Sequence, residues 1–152
     1  DFGELVNSRR IAREIATARA VNPLTTVSDM IKAIGKLAPP RQEHKFYARV
    51  FQALRIAVNH EIDYLKEMLE QSLEMLKKDG RLVVITYHSL EDRVVKNFMR
   101  TGNFEVEEKK DFYGNLITPF RIINKKGTLP DENEIEDNKR ARSARLRIAE
   151  KI

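Results

Sequence analysis

The sequence predicts an α/β fold, and three observations support that prediction. The longest predominantly apolar run, at 82–87, is only six residues long and rich in β-branched side chains. Such a run favours a strand buried on both faces of a parallel sheet. A strongly periodic helical pattern precedes it and a second helical pattern follows it. Helix, strand and helix in close succession are typical of an α/β sheet.

Composition limits the classes of function that the chain can have. The 152 residues are 41% hydrophobic, which is enough for a real core, and they include no cysteine. Disulfides, thiolate metal sites and a cysteine nucleophile are therefore excluded. His44, His60 and His88 lie far apart without ligand-like spacing, so no zinc site is expected.

The chain shows no sign of a membrane or secretory destination. No apolar run approaches the roughly 18 residues of a membrane span. No charged and then apolar leader opens the sequence either. We therefore expect a cytoplasmic protein with no membrane partner.

Basic charge is concentrated at the two ends of the chain. Residues 1–60 carry ten Lys and Arg against five Asp and Glu, and residues 139–152 carry six against one. The intervening segments are acidic, at −1 for 61–100 and −4 for 101–138, and the total is +5. This asymmetry points towards a polyanion such as nucleic acid. A solvated basic face with no partner explains the charge equally well.

Helical periodicity recurs along most of the chain. It predicts helices over about 8–20, 29–37, 46–58, 60–78 and 90–100. Residues 104–108 and 119–124 read as two strands, which we expect to form an antiparallel hairpin on the sheet edge. The acidic segment 131–138 is expected to be loose.

The basic block at 139–147 has two possible roles. Blocks of this kind commonly contact phosphates, which contribute affinity but no choice of sequence. The apolar side chains of Leu146, Ile148 and Ile152 could instead pack part of the block back onto the sheet.

Tyr87, His88 and Ser89 stand at the carboxyl end of the predicted strand, where ligands gather in open α/β sheets. Ser89 can also cap the next helix, with Asp92 completing a capping box. The cluster is therefore either a local cap or part of a site. A nucleophilic Ser–His pair is not expected, because adjacent residues at a strand end rarely point at each other.

A polar stripe marks the helix predicted over 46–58. Gln52, Arg55 and Asn59 repeat at helical spacing, so their side chains share one face. A solvated or interdomain face explains this stripe about as well as a substrate-facing one.

Three motifs carry a resemblance to a known family. They are Phe-Gln-Ala-Leu-Arg-Ile at 51–56, Gly-Arg-Leu-Val-Val-Ile at 80–85 with His-Ser-Leu-Glu-Asp-Arg at 88–93, and Ala-Arg-Ser-Ala-Arg-Leu-Arg at 141–147. In this order they resemble the bacterial ribosomal RNA small-subunit methyltransferase H family. Members of that family use S-adenosylmethionine to methylate the exocyclic N4 of a cytidine in small-subunit ribosomal RNA.

The resemblance implies the C-terminal half of a class I (Rossmann-like) methyltransferase sheet, preceded by part of an inserted helical substrate-recognition domain. Residues 1–58 correspond to the helical domain, and residues 59–152 to the half-sheet with its terminal β-hairpin and basic tail. The family's Gly-rich cofactor loop precedes the part that this chain matches. The resemblance therefore assigns no cofactor-binding residue here and implies that this chain alone is inactive. An open sheet edge makes a homodimer plausible.

The same resemblance suggests site residues. His88, Ser89 and Asp92 are the catalytic candidates, placed to meet a flipped cytidine. Candidates for contact with small-subunit ribosomal RNA are Gln52, Arg55, Asn59, Arg140, Arg142, Arg145 and Arg147. A second hypothesis is a basic RNA-binding fragment without catalysis, and a third, weaker one is a helical scaffold whose charge is incidental.

Overall fold

The computed structural model describes Leu5 and residues 7–105, 107–108 and 110–152. The chain divides into two compact units, Asp1–Glu61 and Ile62–Ile152.

The first unit is helical. It contains α1 (Ser8–Val21), α2 (Val27–Ile34) with a following 3₁₀ turn (Gly35–Leu37), and α3 (Glu43–Val58). The three helices predicted for this region are confirmed. Ile11, Ile34 and Val50, one from each helix, form the buried centre of the unit, so the helical spacing of apolar residues brings the helices together.

A capping box fixes the start of α2. The Thr26 hydroxyl accepts a hydrogen bond from the Asp29 backbone N–H at 3.1 Å, and the Asp29 carboxylate accepts one from the Thr26 N–H at 3.0 Å. Two N–H groups that the helix cannot satisfy internally are satisfied in this way.

The second unit mixes helices and strands. In chain order its elements are α4 (Glu61–Met75), β1 (Arg81–Thr86), α5 (Ser89–Thr101), β2 (Phe120–Ile122), α6 (Glu132–Asp137), a 3₁₀ helix (Lys139–Ser143) and β3 (Arg145–Lys151). The predicted helix, strand and helix around 60–100 are confirmed as α4, β1 and α5.

The three strands form one sheet in the order β1-β3-β2, with β3 antiparallel to both neighbours. The expectation that β1 lies within a parallel sheet and is buried on both faces is wrong for the sheet described. Val83 and Ile85 are each 55% exposed, whereas Leu82 and Thr86 are buried. One face of β1 is therefore covered and the other is open, because successive side chains alternate between faces.

Both α4 and α5 pack on the covered face. The buried cluster there comprises Leu69 of α4, Leu82 of β1, Val95 and Phe98 of α5, and Phe120 of β2, with further members from the same elements. This packing fixes the start of α5 against the carboxyl end of β1.

The predicted strand at 104–108 is not formed by its described residues, and position 106 lies outside them. Phe104 instead stacks on Phe98 of α5, with 4.9 Å between ring centroids. Gly102, at a φ of 74°, ends α5 and turns the chain towards the core. The strand at 119–124 is confirmed as β2, but it pairs with β3 rather than with 104–108.

The C-terminal part of the chain is more ordered than predicted. Residues 131–138 were expected to be loose, yet Asp131 caps α6 by accepting a hydrogen bond from the Glu134 N–H at 2.8 Å. The basic tail is a 3₁₀ helix followed by β3, the central strand of the sheet. The alternative, in which this block packs back onto the sheet, is therefore confirmed for β3.

Among the residues described, no helix has the length and apolar character that crossing a membrane requires.

Candidate functional site

The carboxyl end of β1 is joined to α5 by a reciprocal pair of hydrogen bonds. The Glu91 N–H donates to Nδ1 of His88 at 3.3 Å, and the Tyr87 N–H donates to Oε2 of Glu91 at 3.0 Å. His88 is therefore the N-cap, and the prediction that Ser89 caps the helix is wrong. Ser89 already lies within the helix, whereas His88 keeps extended backbone angles, which let its ring reach the third N–H.

The other ring nitrogen of His88 is unsatisfied. Nε2 lies 3.1 Å from Oε1 of Glu91, a distance that suits an ion pair if the ring is charged. The approach does not have hydrogen-bond geometry, and this buried atom has no hydrogen-bond partner among the residues described. Because Nδ1 accepts a hydrogen bond, the proton of the neutral ring is assigned to Nε2. His88 therefore holds a shielded donor without an acceptor.

Asp92, the third catalytic candidate, is engaged by β3. Its Oδ1 accepts from Nε of Arg147 at 2.6 Å and its Oδ2 accepts from Nη2 at 2.9 Å. Only 5% of the Arg147 side chain is exposed. This bidentate pair ties the first turn of α5 to the centre of the sheet. It takes the place of the predicted capping box between Ser89 and Asp92.

The pKa of Asp92 reflects this environment. Burial of the carboxyl raises its pKa, but the hydrogen bond and charge of Arg147, with the charge of Arg145, outweigh that effect. The pKa of Asp92 consequently lies below its ordinary value of 3.8. Nη1 of Arg145 is 3.8 Å from Oδ2, and 39% of its side chain is exposed.

Two residues of the polar stripe on α3 hydrogen-bond to Glu61, which the sequence did not single out. Arg55 donates to both carboxylate oxygens of Glu61, at 2.8 and 3.0 Å, and the amide of Asn59 donates to Oε1 at 3.3 Å. Gln52 lies half-buried on the same helix. Two of the three stripe residues therefore share one acidic partner within the first unit.

The four arginine candidates near the C terminus separate into two groups. Arg140 and Arg142 lie exposed on the 3₁₀ helix, and neither forms an ion pair with a residue that the structure describes. Arg145 and Arg147 belong to β3 and face Asp92. Ala141, between the first two, is 4% exposed and anchors the 3₁₀ helix.

Glu91 and the lysines at 125 and 126 are further candidate residues that the sequence did not single out. Glu91 lies inside the His-Ser-Leu-Glu-Asp-Arg motif, three residues after the cap, which is the spacing of a reciprocal cap. Lys125 and Lys126 precede Gly127 in a short connection between β2 and α6. A lysine pair before a glycine indicates an exposed turn, which was the available signal.

Comparison with known proteins identifies the family of the whole chain. A family model described as the MraW methylase family matches residues 1–152. The chain belongs to the MraW methylase family. Its three sequence motifs are thereby placed within one methylase family, as the resemblance implied.

Curated relatives carry a more specific name. A protein of Bacteroides thetaiotaomicron named Ribosomal RNA small subunit methyltransferase H is 56% identical over 150 residues, which is 99% of this chain and 49% of the relative. Proteins of the same name from Parabacteroides distasonis and Flavobacterium johnsoniae are 52% and 51% identical, each covered over 50% of its length. The chain thus spans about half the length of the curated relatives it matches.

Proposed function

We propose that the full-length protein containing this chain uses S-adenosylmethionine to methylate the exocyclic N4 of a cytidine in small-subunit ribosomal RNA. The observation that carries the proposal is the family match over residues 1–152, together with relatives named Ribosomal RNA small subunit methyltransferase H. Because ribosomes mature in the bacterial cytoplasm, the proposed activity is cytoplasmic.

We further propose that the second unit is the C-terminal half of a class I methyltransferase sheet. The order β1-β3-β2 leaves one edge of β1 without a partner strand among the described residues. Val83, Ile85 and Tyr87, on its open face, are each at least 55% exposed. These features suit a strand whose remaining neighbours lie in the other half of the protein. A homodimer through the same edge stays a prediction, which sedimentation of the chain can check.

The first unit is proposed to be part of the inserted helical substrate-recognition domain. Its helices and basic charge support that assignment. Gln52, Arg55 and Asn59 are proposed to contact the RNA or the neighbouring domain, with Glu61 holding two of them in position.

The cofactor site is proposed to lie outside the described residues. No described strand is followed by a glycine-rich turn that opens a helix, the arrangement that receives a nucleotide in doubly wound sheets. S-adenosylmethionine supplies a methyl group when bound, and we assign no residue of this chain to hold it. The contribution proposed for this chain is to bind and orient the RNA.

His88 and Ser89 are proposed to receive the target nucleotide. An enzyme acting on a base takes it out of the stack into a pocket and reads its Watson–Crick edge. The Nε2–H of His88 is a donor without an acceptor, and cytosine offers acceptors at O2 and N3. Since this nitrogen is shielded from solvent, the surrounding side chains must shift to admit the base. Ser89, exposed on the same turn, is proposed to contact the base or its ribose.

Asp92 is proposed as a positioning residue. Its carboxylate is occupied by Arg147, so it acts by holding the first turn of α5, with His88 and Ser89, against the sheet. Arg140 and Arg142 are proposed to contact backbone phosphates, because both are exposed and lack a described ion-pair partner.

The decisive test distinguishes the helix-capping role of His88 from its proposed role in binding the target base. Asparagine is a preferred N-cap residue, so His88→Asn in the full-length protein keeps an acceptor for the Glu91 N–H while removing the ring donor. We expect thermal stability close to that of the wild type and a fall in methyl transfer to small-subunit RNA of at least tenfold, about 1.4 kcal/mol in transition-state stabilisation. Unchanged turnover would reduce His88 to a helix cap.

One observation favours a second candidate function. The chain covers only about half of each relative's length, and on its own it is proposed to be a non-catalytic RNA-binding piece. Methyl transfer by the isolated 152-residue chain would exclude this candidate, whereas RNA binding without transfer would support it.

A further inference from the structure

A groove on the second unit lies between α5 and the sheet. It is an open depression of about 610 Å³, bordered by Asp92 and Lys96 on α5, the turn at Lys125 and Lys126, and Arg145 on β3. A neighbouring cavity of about 380 Å³ shares Lys96, Lys125 and Arg147 with it. The two depressions therefore lie side by side along α5 and have three basic residues in common.

The turn at 124–127 forms the wall of the groove opposite α5, and hydrogen bonds hold it in place. The Gly127 N–H donates to the Asn124 carbonyl at 2.9 Å. The Asn124 side chain is fixed to β3, since its Oδ1 accepts from the Ile148 N–H at 2.7 Å and its Nδ2 donates to the Leu146 carbonyl at 2.9 Å. Lys125 and Lys126 therefore lie on a turn that hydrogen bonds fix to β3.

Gly127 brings this turn close to β3. Its φ is 74°, and a Cβ added there would lie 2.8 Å from Cγ of Arg145. A glycine is therefore required both by the backbone angle and by the close approach. The turn and the Arg145 side chain consequently lie next to each other.

Positive charge in the groove exceeds negative charge, because five basic side chains and one carboxylate border it. Asp92 is its one bordering carboxylate, and both oxygens of that group are held by Arg147. The charge of Lys96 acts on Asp92 and helps to lower the pKa of that carboxyl, whereas Lys125 and Lys126 are exposed and form no ion pair with any residue that the structure describes. Cationic side chains that face one another across a concave surface raise the local concentration of anions.

We propose that this groove binds backbone phosphates of the RNA substrate. The inference rests on the proposed function and adds Lys96, Lys125 and Lys126 to its RNA-contacting surface. Ammonium groups on two walls would flank the phosphates, and the partly exposed side chain of Arg145 adds a guanidinium at the rim. Such contacts fix the position of an RNA without reading its sequence.

The test compares two charge-matched double variants of the 152-residue chain. Lys125→Gln with Lys126→Gln removes two charges from the groove, whereas Lys77→Gln with Lys78→Gln removes two from an exposed segment after α4. The measurement is fluorescence anisotropy of a labelled single-stranded RNA oligonucleotide over a series of salt concentrations. Circular dichroism melts check that each variant remains folded.

We expect the groove variant to lose affinity on the order of tenfold at low salt. Its plot of log affinity against log salt should flatten by about 1.4, since each phosphate contact to a single strand contributes about 0.7 to the slope. The Lys77 and Lys78 variant should differ little from the wild type. Equal losses in both variants would overturn the groove proposal and leave only a general charge effect.

The outcomes separate this inference from the proposed function. If the groove variant binds RNA like the wild type while loss of Arg140 and Arg142 weakens binding, the groove proposal fails and the methyltransferase proposal stands. If the wild-type chain does not bind RNA at low salt, the groove proposal is also overturned. Turnover of the His88→Asn full-length protein tests the methyltransferase proposal independently.

Discussion

Arginines a few positions apart in the C-terminal basic block lie in opposite environments. Arg140 and Arg142 are exposed on a 3₁₀ helix. Arg147 is 5% exposed and forms two hydrogen bonds to Asp92. Arg145 is intermediate, with 39% of its side chain exposed.

The difference shows how secondary structure separates residues of one type. A buried charge must be paired, because leaving it unpaired in a low-dielectric interior is costly. Arg147 pairs in register with Val84 of β1, so it lies on the covered face of the sheet beside α5, where Asp92 meets it. The 3₁₀ helix buries only Ala141 and leaves its flanking arginines in solvent. One basic motif therefore supplies both a structural tie and a candidate RNA contact.

Removing the Arg147–Asp92 pair, which ties β3 to α5, should have the largest effect on stability. Arg147→Ala leaves the Asp92 carboxylate without its bidentate hydrogen-bond partner, and breaking a buried pair typically costs about 3 kcal/mol or more. Urea denaturation should therefore show a fall in unfolding free energy of roughly that size. Arg142→Ala is the matched control and should stay within about 0.5 kcal/mol of the wild type. Similar losses in the two variants would contradict the proposed division of roles.

The contribution of the Asp92–Arg147 pair to stability should depend on pH. Because the folded-state pKa of Asp92 lies below its ordinary value of 3.8, its pairing stabilises the protein above that pH. The stabilisation is lost as pH falls through the lowered pKa. The gap in unfolding free energy between the wild type and Asp92→Asn should be widest near neutral pH and close as the wild-type carboxyl is protonated. A gap that stays constant with pH would disagree with this origin.

The exposed arginines should affect binding but not folding. Arg140→Gln with Arg142→Gln should flatten the salt dependence of RNA affinity by about 1.4 while leaving the melting temperature unchanged. Anisotropy titrations and melts of the same preparation measure both quantities. Loss of stability without loss of affinity would reverse the assignment of these residues.

Substitution of Arg145 should have the smallest effects on stability and RNA affinity. It tests whether Arg145 behaves like the exposed arginines or like the buried Arg147. Its 3.8 Å contact with Asp92 is partly exposed, so Arg145→Gln should cost about 0.3 kcal/mol of stability. The salt slope should fall by about 0.7 if the residue also contacts one phosphate. A stability loss as large as that of Arg147→Ala would place Arg145 with the structural tie.

The features predicted from the sequence were those with local causes. The apolar spacing within 46–58 and 60–78 marks α3 and α4, because helix periodicity is set by neighbours three and four residues away. Strand pairing is non-local, and nothing within 145–151 reveals that β1, more than fifty residues earlier, is its partner. The charges of Arg145 and Arg147 are also atypical of a central strand, so the sequence pattern of 145–151 does not indicate β3.

The positions of the candidate site residues could be predicted in part for a similar reason, whereas their roles stay predictions. His88 and Ser89 were placed correctly at the end of β1 by the strand-to-helix pattern. Histidine is not among the preferred N-cap residues, so the cap was assigned to Ser89. The partner of Asp92 could not be found locally, because Arg147 lies 55 positions away in the sequence.

Titration calorimetry of S-adenosylmethionine into the 152-residue chain, with and without small-subunit ribosomal RNA, tests the central claim most directly. The claim is that this chain carries the RNA-orienting part of the methyltransferase and not its cofactor site. We expect heat from the RNA and none from S-adenosylmethionine in either titration. One-to-one binding of S-adenosylmethionine to the chain alone would contradict the claim, and the end of β1 would then have to form part of the cofactor pocket.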